Sequence, residues 1–149
     1  MEWNRGGFTV STDLSRFDWP LVHHHLSTQA YWSLGIPLEV LQRAFRNSLA
    51  FGVFEGEAQV GWARLVTDYA TFAYLADVYV LPERRGQGLS KWLMECITAH
   101  PELQGLRRWM LATRDAHGLY AQFGFRPLAA PDRFMERHDP DVYTRQGRG

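Results

Sequence analysis

Two short stretches of the chain carry residue types at spacings that could do chemistry. The first is Asp77-Val78-Tyr79-Val80-Leu81-Pro82-Glu83-Arg84-Arg85-Gly86-Gln87-Gly88-Leu89-Ser90. An apolar run runs into a glycine-rich turn, and the turn into an amphipathic segment. The first N–H groups of a helix have no intrahelical partner and sit at the positive end of its dipole. Glycines let the backbone approach an oxyanion, and Arg84 and Arg85 add full positive charge, so the stretch has the makings of a phosphate cradle. It is not a Walker loop, because no G-x-x-x-x-G-K-[ST] occurs. A dinucleotide loop would read G-x-G-x-x-G and open the domain, whereas Gly86-Gln87-Gly88-Leu89-Ser90-Lys91 lies past the middle of the chain. The second stretch is Leu119-Tyr120-Ala121-Gln122-Phe123-Gly124-Phe125, whose tyrosine either carries a proton or packs beside Phe123 and Phe125.

The elements that would position these residues follow from periodicity. Phe8–Thr12 alternates as a strand. Asp18 is placed to cap a helix with Pro20 near its start, through Leu21, Val22 and Leu26. Residues 27–37, with Tyr31, Trp32, Gly35 and Pro37, form an aromatic loop or broken helix, and residues 38–47 have helical spacing. Strands are expected over 49–55, 59–67 and 72–81, a helix over about 88–100, a strand over 108–113 and a short helix over 115–122. Two closing strands are expected at 125–128 and 133–137. The order describes a mixed α/β domain with a partly antiparallel, partly parallel sheet.

The chain has 149 residues, 46% of them hydrophobic, enough for one domain with a core. We expect a single domain over residues 1–138 and a loose tail over 139–149. The 16 basic and 16 acidic residues cancel, which argues against a nucleic-acid partner. A single cysteine, Cys96, precludes an internal disulfide and is read as a core residue on an apolar helix face. No secretory leader and no membrane-spanning run is evident, so the expectation is a cytoplasmic protein without a membrane partner. His23-His24-His25 does not form a metal site, because successive helical residues point about 100° apart; no metal is expected.

Arg85-Gly86-Gln87-Gly88-Leu89-Ser90 resembles the R/Q-x-x-G-x-G/A acetyl-CoA motif of the GNAT superfamily of acyl-CoA N-acyltransferases, and Leu119–Phe125 resembles that family's L-Y-x-x-x-G-F. The resemblance spans about residues 49–128. It departs at Ser90, where the motif has Gly or Ala, and at Thr113, where many members have Asn. It implies a mostly antiparallel central sheet with flanking helices and two parallel strands that splay at a cofactor cleft. It implies acetyl-CoA as the acyl donor, bound by Arg85, Gly86, Gln87, Gly88, Leu89 and Ser90 at its pyrophosphate and by the backbone of Val78 and Val80 along its pantetheine arm, with Thr113 nearby. Tyr120 is the implied general acid. Asp77 is a candidate base or amine-orienting carboxylate, or the partner of Arg64; Glu39, Asp68 and Asp132 are weaker candidates. Tyr31, Trp32, Phe72 and Tyr74 are candidate acceptor contacts. The implied activity is acetyl transfer to a primary amine of a small molecule or peptide, by direct attack in a ternary complex; the alternative is a non-catalytic acetyl-CoA sensor of the same fold. Such domains often form homodimers.

Overall fold

The computed structural model describes residues 1–145. Its contacts fall into two units: Met1–Phe17 with Phe45–Phe125, and Asp18–Ala44 with the described residues from Arg126 onward.

The first unit is built on a six-stranded sheet in simple sequence order: β1 (Glu2–Arg5), β2 (Phe8–Ser11), β3 (Leu49–Glu55), β4 (Ala58–Thr67), β5 (Phe72–Val80) and β6 (Arg108–Leu111). All neighbours are antiparallel except β5 and β6, which are parallel. A parallel neighbour needs a crossover, and here it contains the helix α3 (Leu89–Ala99). That helix buries Leu89, Trp92, Leu93, Met94, Cys96 and Ile97 in one cluster with Val10, Phe51, Val53, Ala63, Leu65, Ala73, Leu75 and Val80 of the sheet. Each such apolar side chain contributes about 1.5–3 kcal/mol when fully buried. Trp62, Phe45 and Phe54 are fully buried outside this cluster, with Phe17 edge-on to Phe45 and Phe54 at 6.0 and 6.2 Å. Cys96 is a core residue as expected.

One irregularity organises the sheet. Arg64 pairs with Asp77, but Leu65 pairs with Leu75, so one step on β4 matches two on β5 and Ala76 has no partner. This β-bulge flips the alternation. Ala73 and Leu75 face α3 before it, and Val78 and Val80 face α3 after it. A bulge also bends its strand and ends pairing. The β5–β6 ladder indeed runs only from Phe72↔Arg108 to Leu75↔Leu111, stopping at the residue before the bulge.

In the second unit, α1 (Trp19–Thr28) starts where the sequence suggests. Asp18 Oδ1 accepts from the Leu21 N–H at 3.1 Å, and Pro20 sits in the first turn, where its missing N–H costs nothing. Helix α2 (Leu38–Arg46) runs from this unit into the first, and α4 (His117–Ala121) belongs to the first.

The expected closing strands do not form. Residues 125–128 and 133–137 are in no strand, and Pro131–Arg133 is a 3₁₀ turn. Pro127 and Pro131 remove donors that a ladder needs, and residues 132–137 are all exposed, Met135 by 97%, so nothing there alternates between core and water. β1 is a short polar edge strand that no alternation in the sequence announces. Residues 139–145 of the expected tail form a hydrogen-bonded turn, with Arg145 paired to Asp139 at 2.6 Å; residues 146–149 lie outside the described residues.

His100 carries a pH signature of the first unit. It is 4% exposed, lies beside the Trp3 and Phe51 rings, and its Nδ1 accepts from the Glu102 N–H at 3.1 Å. Burial pulls its pKa below the ordinary 6.5. The unfolded chain takes up a proton near that value while the folded chain resists, so stability is full above pH 6.5 and falls as the pH drops below it. We expect urea unfolding between pH 7 and 5 to show this loss, and His100→Asn, which keeps an acceptor for Glu102 but cannot titrate, to flatten the slope.

Candidate active site

The site begins where β5 outlives its partner. Past Leu75, β5 has β4 on one side and no strand on the other. The Leu81 N–H donates to Val60 O at 2.8 Å, so the alternate positions 79 and 81 face β4. By the two-residue period of a strand, the backbone groups of Val78 and Val80 face the strandless side. Val80 shows this directly, since its carbonyl accepts from Arg85 Nε at 2.9 Å.

Beyond Val80 the chain makes a 3₁₀ turn over Pro82–Arg84 and enters α3 through Gly86 and Gly88, both left-handed with φ of +81° and +77°. Glycine takes this conformation without a steric penalty. Gly88 is the N-cap of α3 and has no side chain to cap with. The first helical bond runs from the Trp92 N–H to Gly88 O, which leaves the N–H groups of Leu89, Ser90 and Lys91 without an intrahelical acceptor. Val80, Arg84, Arg85, Gly86, Gly88, Leu89, Ser90 and Lys91 line one open cleft of about 110 Å³.

Cations surround this cleft on several sides. Arg85 is fixed by its bond to Val80 and by the Tyr79 ring, 5.3 Å from its guanidinium carbon, and its two Nη groups hydrogen-bond to no described residue. Arg84 is neutralised by Glu55 at 2.8 Å. Two further cations were missed in the sequence. Lys91 stands in the first turn of α3. Arg5 comes from β1, stacks over Trp92 at 5.1 Å and brings Nη2 to 3.5 Å from Gly88 O. Lys91 was legible from its place beside the motif; Arg5, 83 residues from Gly88, carried no local signal. Gln87 turns away, its Nε2 donating to Arg84 O at 3.2 Å, and Leu89 is 4% exposed, so each can offer the cleft only its backbone.

The other expected site residues fall as follows. Tyr120 is 9% exposed on α4, edge-on to Phe125 at 6.1 Å, and its hydroxyl hydrogen-bonds to no described residue. Burial raises its pKa above 10, so the phenol is protonated at neutral pH. Thr113 lies just past β6, and its Oγ1 accepts from the Ala116 N–H at 3.1 Å at the entry to α4. Its hydroxyl proton remains available to donate.

Asp77 is 6% exposed and accepts from Arg64 Nε at 2.8 Å; Arg64 Nη1 in turn donates to Ser48 Oγ at 3.2 Å and the guanidinium lies 5.8 Å from the Phe45 ring. Because of the bulge, Phe72, Tyr74 and Asp77 share the sheet face opposite α3, although strict alternation from Tyr74 would have separated them. Asp68 is taken up by its own turn. It accepts from the N–H groups of Ala70, Thr71 and Phe72 and from the Thr71 hydroxyl, which hold its carboxyl well below the usual range. Glu39 and Asp132 are exposed. Tyr31 and Trp32 belong to the second unit, edge-on to each other at 5.0 Å and about half exposed. Among the described residues no group of three or more His, Cys, Asp or Glu could hold a metal ion, and no helix is long and apolar enough to cross a membrane.

This arrangement, a strand splayed from its parallel neighbour and running into a glycine turn at a helix N-terminus, matches known proteins throughout the chain. The profile of the acetyltransferase (GNAT) family matches residues 19–125. A candidate acetyltransferase of Gibberella zeae is 34% identical over 142 residues, 80% of this chain and 79% of its own. A crystal structure of a candidate GNAT acetyltransferase from Xanthomonas campestris is 53% identical, covers 95% of this chain and all of its own, and superposes with a TM-score of 0.91. A GNAT acetyltransferase of Elizabethkingia anophelis, solved with acetyl-CoA bound, shares the fold at 13% identity and a TM-score of 0.62, over 89% of this chain and 88% of its own. The chain belongs to the GNAT acetyltransferase family, and as such is an acyltransferase with the mixed α/β fold of that family.

The Asp77–Arg64 pair predicts how the bulge responds to mutation. Asp77→Ala leaves a mostly buried guanidinium without its anion and should cost about 3 kcal/mol in urea unfolding. Replacing both partners by apolar residues, Arg64→Met with Asp77→Leu, should recover most of that loss.

Proposed function

We propose that this chain transfers the acetyl group of acetyl-CoA to a primary amine, by direct attack while both are bound. The observation that carries the reading is the continuity of an unpaired strand edge at Val78 and Val80 with an anion-seeking helix N-terminus at Gly86–Ser90. A linear ligand with an amide-rich arm and a pyrophosphate needs these two features in this order. The donor set fits: backbone N–H groups of Gly86, Gly88, Leu89 and Ser90 with Arg85 for the phosphates, and a strand edge for the arm. Arg5 and Lys91 add charge beside the phosphates. The bound thioester supplies an activated acetyl carbonyl.

The chain's own residues then have distinct work. The Val78 and Val80 edge offers a backbone N–H to the carbonyl oxygen where negative charge develops. Tyr120, kept protonated by burial, donates its proton to the departing sulfur, and the proton that the attacking amine loses passes to solvent, from which the phenol is reprotonated. Asp77 orients rather than abstracts. Its carboxylate is already held by Arg64 Nε at 2.8 Å. Thr113 secures the entry to the helix that carries Tyr120. Phe72 and Tyr74, on the face of Asp77, form one wall for the acceptor.

Turnover tests this reading: thiol release from acetyl-CoA in the presence of a panel of primary amines. Acetyl-CoA at about 100 times Kd should stabilise the fold by about 2.7 kcal/mol, and Arg85→Ala should reduce that gain. Tyr120→Phe should keep acetyl-CoA binding within a few-fold and lower kcat by roughly 10²–10⁴. No stabilisation at millimolar acetyl-CoA would overturn the reading. Stabilisation without turnover on any amine would mark the chain as a sensor instead, and a Phe variant with unchanged kcat would remove Tyr120 from the proton transfer.

A further inference from the structure

The second unit contains a cleft of its own. The loop from Ala30 to Ile36 lies between α1 and α2, and it is tightly bonded. Ser33 Oγ, on a buried side chain, donates to Leu26 O at 2.6 Å; the Gly35 N–H donates to Ser27 O at 2.8 Å and the Ile36 N–H to Ser33 O at 3.0 Å; His23 Nε2 is 2.8 Å from Ile36 O. The exposure of Tyr31 and Trp32, 55% and 52%, is therefore a consequence of how a well-tied loop presents them. Their rings stand perpendicular, 88° apart with centroids 5.0 Å from each other, and so form two walls of a corner.

The C-terminal segment supplies the opposite wall. It is braced by bonds from the Val142 N–H to Asp139 O and from the Thr144 and Arg145 N–H groups to Asp141 O, and by the Arg145–Asp139 pair. It packs closely on the loop: a Cβ at Gly35 would come 3.1 Å from Tyr143 O. The cleft of about 170 Å³ is lined by Tyr31, Trp32, Tyr143, His138, Asp139 and Asp141 among others, and among the described residues by no lysine or arginine. Asp139 is neutralised by Arg145, while the Asp141 carboxylate makes no hydrogen bond or ion pair with a described residue. The cleft thus joins aromatic walls to two carboxylates, of which the single guanidinium of Arg145 offsets one.

We propose that this cleft is a binding site for the head group of a small organic cation, a primary or methylated ammonium. Aromatic faces attract cations through their quadrupole, most strongly at tryptophan, and the carboxylate adds a Coulombic attraction. The same walls repel carboxylates and phosphates. The volume is below the roughly 300–1,000 Å³ of sites that enclose drug-sized ligands, so the cleft takes the head group and leaves the rest of the ligand to solvent. Cation binding stands independently of acetyl transfer. Only the further step, that the bound ammonium names the class of acceptor, rests on the proposed activity.

The experiment titrates the ¹⁵N-labelled full chain with n-butylammonium, N,N,N-trimethylbutylammonium, 1-pentanol and pentanoate, following the Trp32 indole N–H and the backbone amides of Tyr31 and Asp141. Both cations should give saturable shifts at these positions, and the alcohol and the carboxylate should not. Trp32→Ala and Asp141→Asn should each weaken cation binding by about two- to five-fold, the equivalent of about 0.5–1 kcal/mol for an exposed cation–π or charge contact. Both variants should keep the wild-type thermal shift with acetyl-CoA, which shows them folded. A pentanol titration matching that of the ammonium would overturn the proposal, as would the absence of saturation by either cation at tens of millimolar or variants that bind the cations as wild type does. Loss of the acetyl-CoA shift in the wild type would sink the proposed activity while leaving the cation site standing.

Discussion

Ala76 is one residue too many for the strand opposite it. Because Arg64↔Asp77 and Leu65↔Leu75 are consecutive pairs on β4, β5 must absorb an extra step, and it does so where its ladder with β6 ends. Everything downstream depends on that mismatch. It turns Val78 and Val80 toward α3, leaves their backbone groups on an edge without a neighbouring strand, and aims the chain into the Gly86–Gly88 turn. In a regular β5 the faces beyond Leu75 would be exchanged, so that Asp77 and Tyr79 rather than Val78 and Val80 would face α3. The Arg64–Asp77 ion pair sits at the step itself, which gives a mostly buried charge pair a positional rather than a stabilising purpose.

The cradle was legible in the sequence because its chemistry is local. Glycines at 86 and 88, arginines at 84 and 85 and the amphipathic run from Leu89 are adjacent in the chain. The Asp18 cap was legible for the same reason. The bulge was not, since it is a mismatch between two strands and neither strand carries a mark of it alone. Arg5 was hidden by distance, and β1 by its polarity: an exposed edge strand such as Glu2–Arg5 need not alternate. The two expected closing strands are absent because the short apolar clusters around Pro127 and after Pro131 find no pairing partner in the described chain. Asp77 could be seen as a partner of Arg64 or as a base; only the register of β4 against β5 favours the first.

The two units differ in electrostatic character although the whole chain carries no net charge. The cleft at the start of α3 is flanked by Arg85, Lys91 and Arg5, while the cleft beside Tyr31 and Trp32 carries Asp139 and Asp141 and, among the described residues, no lysine or arginine. One suits a polyanion and the other a cation. The neutral total conceals both preferences.

The central claim is that the Val78–Val80 edge and the Gly86–Ser90 turn form one continuous binding surface for acetyl-CoA. It is tested most directly by amide shifts of the ¹⁵N-labelled chain on titration with acetyl-CoA. The amides of Val78, Val80, Gly86, Gly88 and Ser90 should move together along one saturable isotherm, while those of Thr9 and Val10 in β2 stay still. Saturable binding that leaves Val78 and Val80 unmoved, or that shifts only residues outside this edge and turn, would contradict it.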